Sequence, residues 1–231
     1  MADNEIMIPG VENVSDIQKF APEVLDAITS AAFLPRLQLM IATSEPCKNG
    51  DFPINHYALV RSKNSMEDLG DSVDLFVVTW RPKALKIDET VFAVYDPKLG
   101  DDGKPTGDFA RIMIDSEKRD SGCMYGPEYL VWIPQIKEFA TFFMGSKSSR
   151  RESPLMSARC GKMATLKSKL IPGKKYKWFA PSVFACSTPP DEANMPSAVD
   201  IKTEVDKFNN PPESEVETAS DDEAESQERA R

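Results

Sequence analysis

The chain has 231 residues, 41% of them hydrophobic, with 28 Lys or Arg against 37 Asp or Glu, which is material for one core of ordinary size plus tails. No apolar run approaches the ~20 residues that a membrane-crossing helix needs, and the acidic start MADNEIMIPG has neither the basic nor the apolar stretch of an export signal, so a soluble, cytoplasmic protein without membrane contact is expected. The net charge of -9 hides two opposed blocks: Lys137 to Lys177 holds eleven Lys or Arg against Glu138 and Glu152, a local +9, while Asp191 to Arg231 holds thirteen acids against four bases, a local -9.

In chain order, VSDIQKFAPEVLDAITSAA sets Val14, Ile17, Phe20, Val24, Leu25 and Ile28 at helical spacing, with Ser15 as an N-cap and Pro22 near a second helix start. Residues 1–32 therefore read as a helical lead. RLQLMIAT, NHYALV, VDLFVVTW and VFAVY are short β-branched and aromatic runs separated by turn-forming clusters, which predicts four strands. FARIMIDSEKR returns to helical spacing. EYLVWIP and EFATFFMG, joined through QIK, predict a hairpin. In SKSSRRESPLMSARCG, Ser153 and Pro154 fit the N-cap and first turn of a short helix. ATLKSKLI and KKYKWFAPSVFAC around Pro172-Gly173 make a last hairpin.

Six to nine short strands with few helices predict a mainly β fold, a small barrel of OB-fold type or a sandwich with helical insertions, over residues 33–188. From residue 189 the chain gains prolines and acids and loses aromatics, so 189–231 is expected to be a disordered acidic tail.

The basic block carries the candidate binding residues. In LKSKLIPGKKYKW the odd positions Lys167, Lys169, Lys175 and Lys177 are basic and the even positions Leu166, Leu170, Tyr176 and Trp178 are apolar or aromatic. A three-residue loop would set Lys169 opposite Lys177 and separate the two classes, which the burial pattern favours; a loop one residue longer would put Lys167 and Lys169 beside Tyr176 and Trp178. Facing lysines repel, and a polyanion would relieve that, whereas lysines protecting an exposed strand are the plainer explanation. GSKSSRRES adds Lys147, Arg150 and Arg151 among serines beside Gly145, a loop able to hold phosphate oxygens but without the Walker pattern.

Aromatics interleave with this charge. Of these Trp178, Tyr176, Trp132 and Tyr125 are the candidates for base stacking, while in EFATFF Phe139 and Phe143 share one face and Phe142 takes the other. VVTWRPKALKI supplies a second cluster, Arg81 and Lys83 with Trp80 and Lys86, at a strand end broken by Pro82.

Enzyme chemistry finds little footing. His56 is the only histidine, a Cys123 and His56 pair would need to meet in space, and Asp68, Asp71 and Asp74 do not follow the EF-hand pattern. Cys47, Cys123, Cys160 and Cys186 are scattered, without the paired spacing of a zinc site. No catalytic residue, metal or cofactor is expected.

A β-rich body with a basic, aromatic-bearing surface, followed by a proline-containing linker and an acidic tail, resembles the single-stranded DNA-binding proteins with an OB-fold, especially those encoded by bacteriophages. The resemblance implies largely sequence-independent binding of single-stranded DNA in replication or recombination, with RNA or duplex DNA held more weakly. It implies a homo-oligomer or filament on DNA, and a tail that recruits replication or recombination proteins and competes for the basic groove. The chain departs from bacterial members in ending SQERAR rather than in an apolar tip. Two alternatives stand beside this reading: an assembly factor whose basic face meets an acidic partner protein, and a nucleic-acid enzyme such as a nuclease or annealing recombinase.

Overall fold

The computed structural model of the chain describes residues 34–62, 65–87, 91–118, 121–172, 177–187 and 191–210; the expected helical lead at 1–32 lies outside them. Along the chain come β1 (Arg36–Leu39), α1 (Glu45–Lys48), β2 (Tyr57–Ser62), β3 (Ser65–Asp68), β4 (Ser72–Ile87), β5 (Val91–Val94) and α2 (Gly107–Asp115). There follow β6 (Cys123–Ile133), β7 (Glu138–Phe143), α3 (Lys147–Arg150), α4 (Ser153–Ser157), β8 (Lys162–Pro172), β9 (Lys177–Ala185), a 3-10 turn at Glu192–Asn194 and α5 (Ala198–Asn209).

The strands form one mixed sheet in the order β3-β2-β1-β7-β6-β4-β8-β9, with β5 also on β4. Only the β1–β7 pair is parallel among these ladders. The fold is mainly β, as expected, but the pairing path runs from β3 to β9 without closing among the described residues, so the expected barrel is not formed by these ladders. The period of two still directs one face inward. Leu37, Leu59, Leu75, Val131, Phe142 and Leu166, from six different strands, belong to one buried cluster, which Met156 of α4 joins. A sheet whose two flanks contribute to the same cluster must curl around its inner face.

β4 is the longest strand, and it passes through Pro82 where the sequence suggested a break. The register sets Pro82 opposite Pro127, whose carbonyl accepts from Met144 N–H toward β7, so this pair exchanges no hydrogen bonds with each other. On its other edge β4 pairs with β8 up to Val77 and with β5 from Ala84. Pro82 falls in the gap, where a missing N–H removes no ladder bond.

A register shift between Val77 and Thr79 inserts one residue into β4 and reverses its alternation. Before it, Val73, Leu75 and Val77 face the core; after it, Trp80 stands beside inward Tyr129, and Arg81 beside outward Glu128.

The expected disordered tail needs correction at its start. Residues 191–210 form the 3-10 turn and α5, which is opened by a capping box between Ser197 and Asp200. Ile201, Val205 and Phe208 lie on one stripe of α5 and pack with Met195 against Leu130, Trp132 and Phe139 on the outer face of the sheet. Overall composition suggested too little apolar surface, but three residues at i, i+4 and i+7 suffice when a sheet face receives them. Residues 211–231 lie outside the described chain.

Because Phe208 is only 1% exposed, Phe208→Ala should lower unfolding free energy by about 3–5 kcal/mol, and removing residues 191–231 should lower it further. Urea unfolding followed by circular dichroism reads both; an unchanged midpoint for the truncated chain would show that α5 adds nothing to the body.

Candidate nucleic-acid interface

The outer face of the sheet divides in two. Over β4, β6 and β7 it is covered by α5, and over β8 and β9 it exposes Lys167, Lys169, Trp178 and Phe184, with Ala180 and Ser182 buried between the two rings. Cross-strand pairs on this open part are Thr165 with Phe184, Lys167 with Ser182, Lys169 with Ala180, and Ile171 with Trp178. This corrects the expected register of Lys169 opposite Lys177. Burial decides it: the observed pairing sets Leu166 opposite Val183, and both enter the core. Four residues, 173–176, separate β8 from β9, and the candidates Lys175 and Tyr176 among them lie outside the described residues.

The consequence is that lysines and aromatics share one face. Lys167 and Lys169 project from it two residues apart, roughly 7 Å, beside Trp178 at 43% and Phe184 at 47% exposure. The Lys167 ammonium stands 5.7 Å from the Phe184 ring centroid, within cation–π range. Ala180 and Ser182 keep the surface between the aromatics low. Lys177, also exposed, falls on the opposite parity beside Pro172. Among the described residues, Lys167, Lys169, Lys177 and Arg151 engage in no ion pair.

The serine-rich loop meets this face at its edge. The Trp178 indole N–H donates to Ser148 Oγ at 3.0 Å, joining two features that are 30 residues apart. The loop does not have the expected form of a phosphate clamp. Ser146 caps Ser149 N–H at 3.1 Å, and the Ser149 hydroxyl bonds back to the Ser146 carbonyl. A Cβ on Gly145 would lie 2.3 Å from the Phe143 ring, so that glycine makes room for a side chain. Arg151 is exposed, and Lys147 reaches Glu117 at 3.1 Å. Arg150 is an anchor: its guanidinium donates to the Tyr125 and Gly145 carbonyls and to Glu117, and lies 4.0 Å over the Tyr125 ring.

Three further candidates leave the interface. Trp132 is 9% exposed under the C-terminal segment, its indole N–H donating to the Asn194 carbonyl at 2.8 Å. Arg81 and Lys83 are turned into a buried ion cluster. Both oxygens of Glu128, itself 2% exposed, are taken: Arg81 Nε and Nη2 bond one, at 2.9 and 2.7 Å, and Lys83 bonds the other. Arg81 also donates to the Phe208 carbonyl and lies between the rings of Tyr95, at 3.7 Å, and Phe208, at 4.1 Å. Arg81 and Lys83 are thereby withdrawn from the expected surface cluster, and Trp80 beside them is its exposed residue, at 48%.

Cys123 packs with Ala84, Phe109 and Ile112, whereas His56 bonds Asp68 at 2.9 Å, so the two are not brought together. No disulfide joins any of the four cysteines; Cys123 is buried, and burial pushes the Cys160 thiol up, which disfavours its thiolate. Among the described residues no three His, Cys, Asp or Glu converge as metal ligands, and no helix is long and apolar enough to cross a membrane. Comparison with protein-family models, with curated proteins and with solved structures finds no match to this chain.

The two sets of cations should behave oppositely. Glu128→Ala leaves two buried cations without their carboxylate and should cost about 3–5 kcal/mol. Lys167→Ser with Lys169→Ser should move stability by no more than about 0.5 kcal/mol. Urea midpoints of the two variants check the contrast, and a large loss in the lysine variant would make those residues structural.

Proposed function

We propose that the chain is a non-catalytic, largely sequence-independent binder of single-stranded DNA, acting where single strands arise in replication or recombination. Its contact face is the open outer surface of β8 and β9. One observation carries this reading: Lys167 and Lys169, without an ion pair among the described residues, share one sheet face with half-exposed Trp178 and Phe184, which stand diagonal to them across the β8–β9 ladder. Lysines neutralise phosphates without regard to sequence, and an aromatic face accepts any base, each stacked base contributing about 1–3 kcal/mol. Flat aromatic surface without bound bases is an expensive thing to expose, and unpaired lysines beside it supply attraction to a polyanion. Arg151, exposed and without an ion pair among the described residues, adds charge in the α3–α4 segment that meets this face through Ser148. In this proposal the curled sheet serves as an OB-like body, presenting a strand face where a closed barrel would present its groove.

The acidic segment 211–231 follows α5, whose body lies on the same outer face, and we propose that it competes with DNA for the lysines. Its eight acids against two arginines make a tethered anion at roughly millimolar effective concentration.

A labelled oligonucleotide titrated at several salt concentrations tests the reading. Wild type should bind with steep salt dependence, and replacing Lys167 and Lys169 together by Ser should flatten the log–log slope by roughly 1.4. Trp178→Ala should weaken binding with the slope kept, since stacking releases no counterions. Wild type that ignores the oligonucleotide at low salt sinks the proposal. A chain ending at Asn210 keeps α5 and should bind more tightly than the full chain at low salt, the gain fading as the Debye length falls toward ~8 Å; equal affinities at low salt remove the competing tail.

A further inference from the structure

At the end of the sheet where β4 and β6 diverge from the β8–β9 face lies a cleft of about 350 Å3, bordered by Trp80, Pro82, Phe109, Tyr125, Ser153 and Ser157. Trp80 is paired with fully buried Tyr129 across the ladder and yet remains 48% exposed. An indole placed on the inner side of a sheet, left half open beside a cleft, has a flat face available for a flat ligand.

The polar groups of the cleft are committed in a way that sets what they can read. Tyr129 donates its proton to the Ser153 carbonyl at 2.9 Å, so the 2.9 Å contact between Tyr129 and Ser157 uses the Ser157 proton. The Ser153 hydroxyl donates to the Arg150 carbonyl at 2.8 Å. Both serine hydroxyls thus have their protons engaged and only lone pairs left to offer, which suits a ligand presenting N–H donors. The α3–α4 segment forming this wall and the turn after it carry Lys147, Arg150, Arg151 and Arg159 against Glu152, so the ligand's surroundings favour negative charge even with Glu117 paired to Lys147 and Arg150. The same segment bonds Trp178 through Ser148 at its start and borders the cleft through Ser157 at its end.

We infer that this cleft takes one unstacked nucleobase of the bound single strand, with preference for bases carrying an exocyclic amino group. The inference rests on the reading of the β8–β9 face as the strand-binding surface. A flat base lies on Trp80, its amino group donates to the lone pairs of Ser153 or Ser157, and its phosphates follow the cationic α3–α4 segment to Trp178. A cleft of this size, near the lower end of the ~300–1,000 Å3 of ligand pockets, suits one base. Adenine and cytosine offer the amino donor, and thymine does not.

The test uses the full chain and strands of about 16 nucleotides, the upper end of single-fold site sizes. Trp80→Ala should weaken binding of dC and dA strands about 5- to 100-fold, the range for one lost stacking contact, and should narrow their advantage over dT. Trp178→Ala weakens all three alike. Fluorescence supplies a second readout that does not require Trp80→Ala to fold: in Trp178→Phe, with Trp132 buried, strand binding should quench Trp80 emission. If that emission stays constant while the strand binds, or if Trp80→Ala binds as wild type while Trp178→Ala does not, the cleft is not a base site and the β8–β9 reading survives. If wild type binds no strand, both fall. A proline-rich peptide that quenches Trp80 where DNA does not would give the cleft to a polyproline ligand instead and overturn the inference.

Discussion

The architecture depends on the guanidinium of Arg81. It bonds Glu128 on β6, donates to the last turn of α5 through the Phe208 carbonyl, and fills the space between the Tyr95 and Phe208 rings. Carbonyls in the last turn of a helix lack intrahelical partners and attract cations, so a buried arginine there satisfies the helix end and fixes where α5 stops. The burial of charge is tolerable because Glu128 is saturated by Arg81 and Lys83 together. That arrangement requires Arg81 and Lys83 to face outward, and the bulge at Val78 makes them do so. Continued without it, the alternation of Val73, Leu75 and Val77 would drive both cations into the apolar core.

Placement of α5 in turn decides which surface is left for a ligand. The outer face offers two groups of aromatics and cations, and covering one group removes Trp132, Phe139, Arg81 and Lys83 from solvent. What remains on β8 and β9 keeps both its lysines and its rings. The fold thus sorts cations by partner: those near Glu128 and Glu117 are internal or tethered, and Lys167 and Lys169 on β8 form no ion pair among the described residues. In a protein of net charge -9, a surface of this kind is set by local pairing, and average charge says nothing about it.

Strands were legible in the sequence wherever apolar alternation was regular: β1, β2, β4, β6, β7, β8 and β9 all fall on runs visible by composition, and Phe139 and Phe142 divide between the two faces as their spacing requires. Faces were less legible than strands. A single inserted residue at Val78 reversed the side on which Trp80, Arg81 and Lys83 stand, and no residue type marks such a bulge. The β8–β9 register departs from the expected three-residue loop because alternation within LKSKLIPGKKYKW does not include Val183, whose burial opposite Leu166 outranks repulsion between exposed charges. β3 was missed since SMED carries almost no apolar signal and exists by pairing with β2. α5 left a signal that went unread: Ser197 and Asp200 at capping-box spacing, then Ile201, Val205 and Phe208 on one stripe, submerged in an acidic average.

A face that binds polyanions by exposing a lysine-rich strand carries a hazard of its own, because the last strand of an open sheet offers unpaired backbone groups to any other strand. β9 has β8 as its only ladder partner among the described strands. The α3–α4 insertion lies along the other side, where Glu152 accepts from Val183 N–H at 3.1 Å and from the Ser182 hydroxyl at 3.3 Å. A carboxylate in that position occupies a donor that strand addition would need, and it brings negative charge where an approaching backbone carbonyl would have to sit. Pro181, two residues before Val183 and so on the same edge of the strand, has no N–H to offer. The edge is therefore closed by chemistry while the face is left open, so the residues that could recruit DNA are presented without presenting a template for aggregation. The same short insertion holds Trp178 by Ser148, caps the core with Met156, and borders the Trp80 cleft, which makes the segment between β7 and β8 the place where edge protection and ligand recognition are built from one piece of chain.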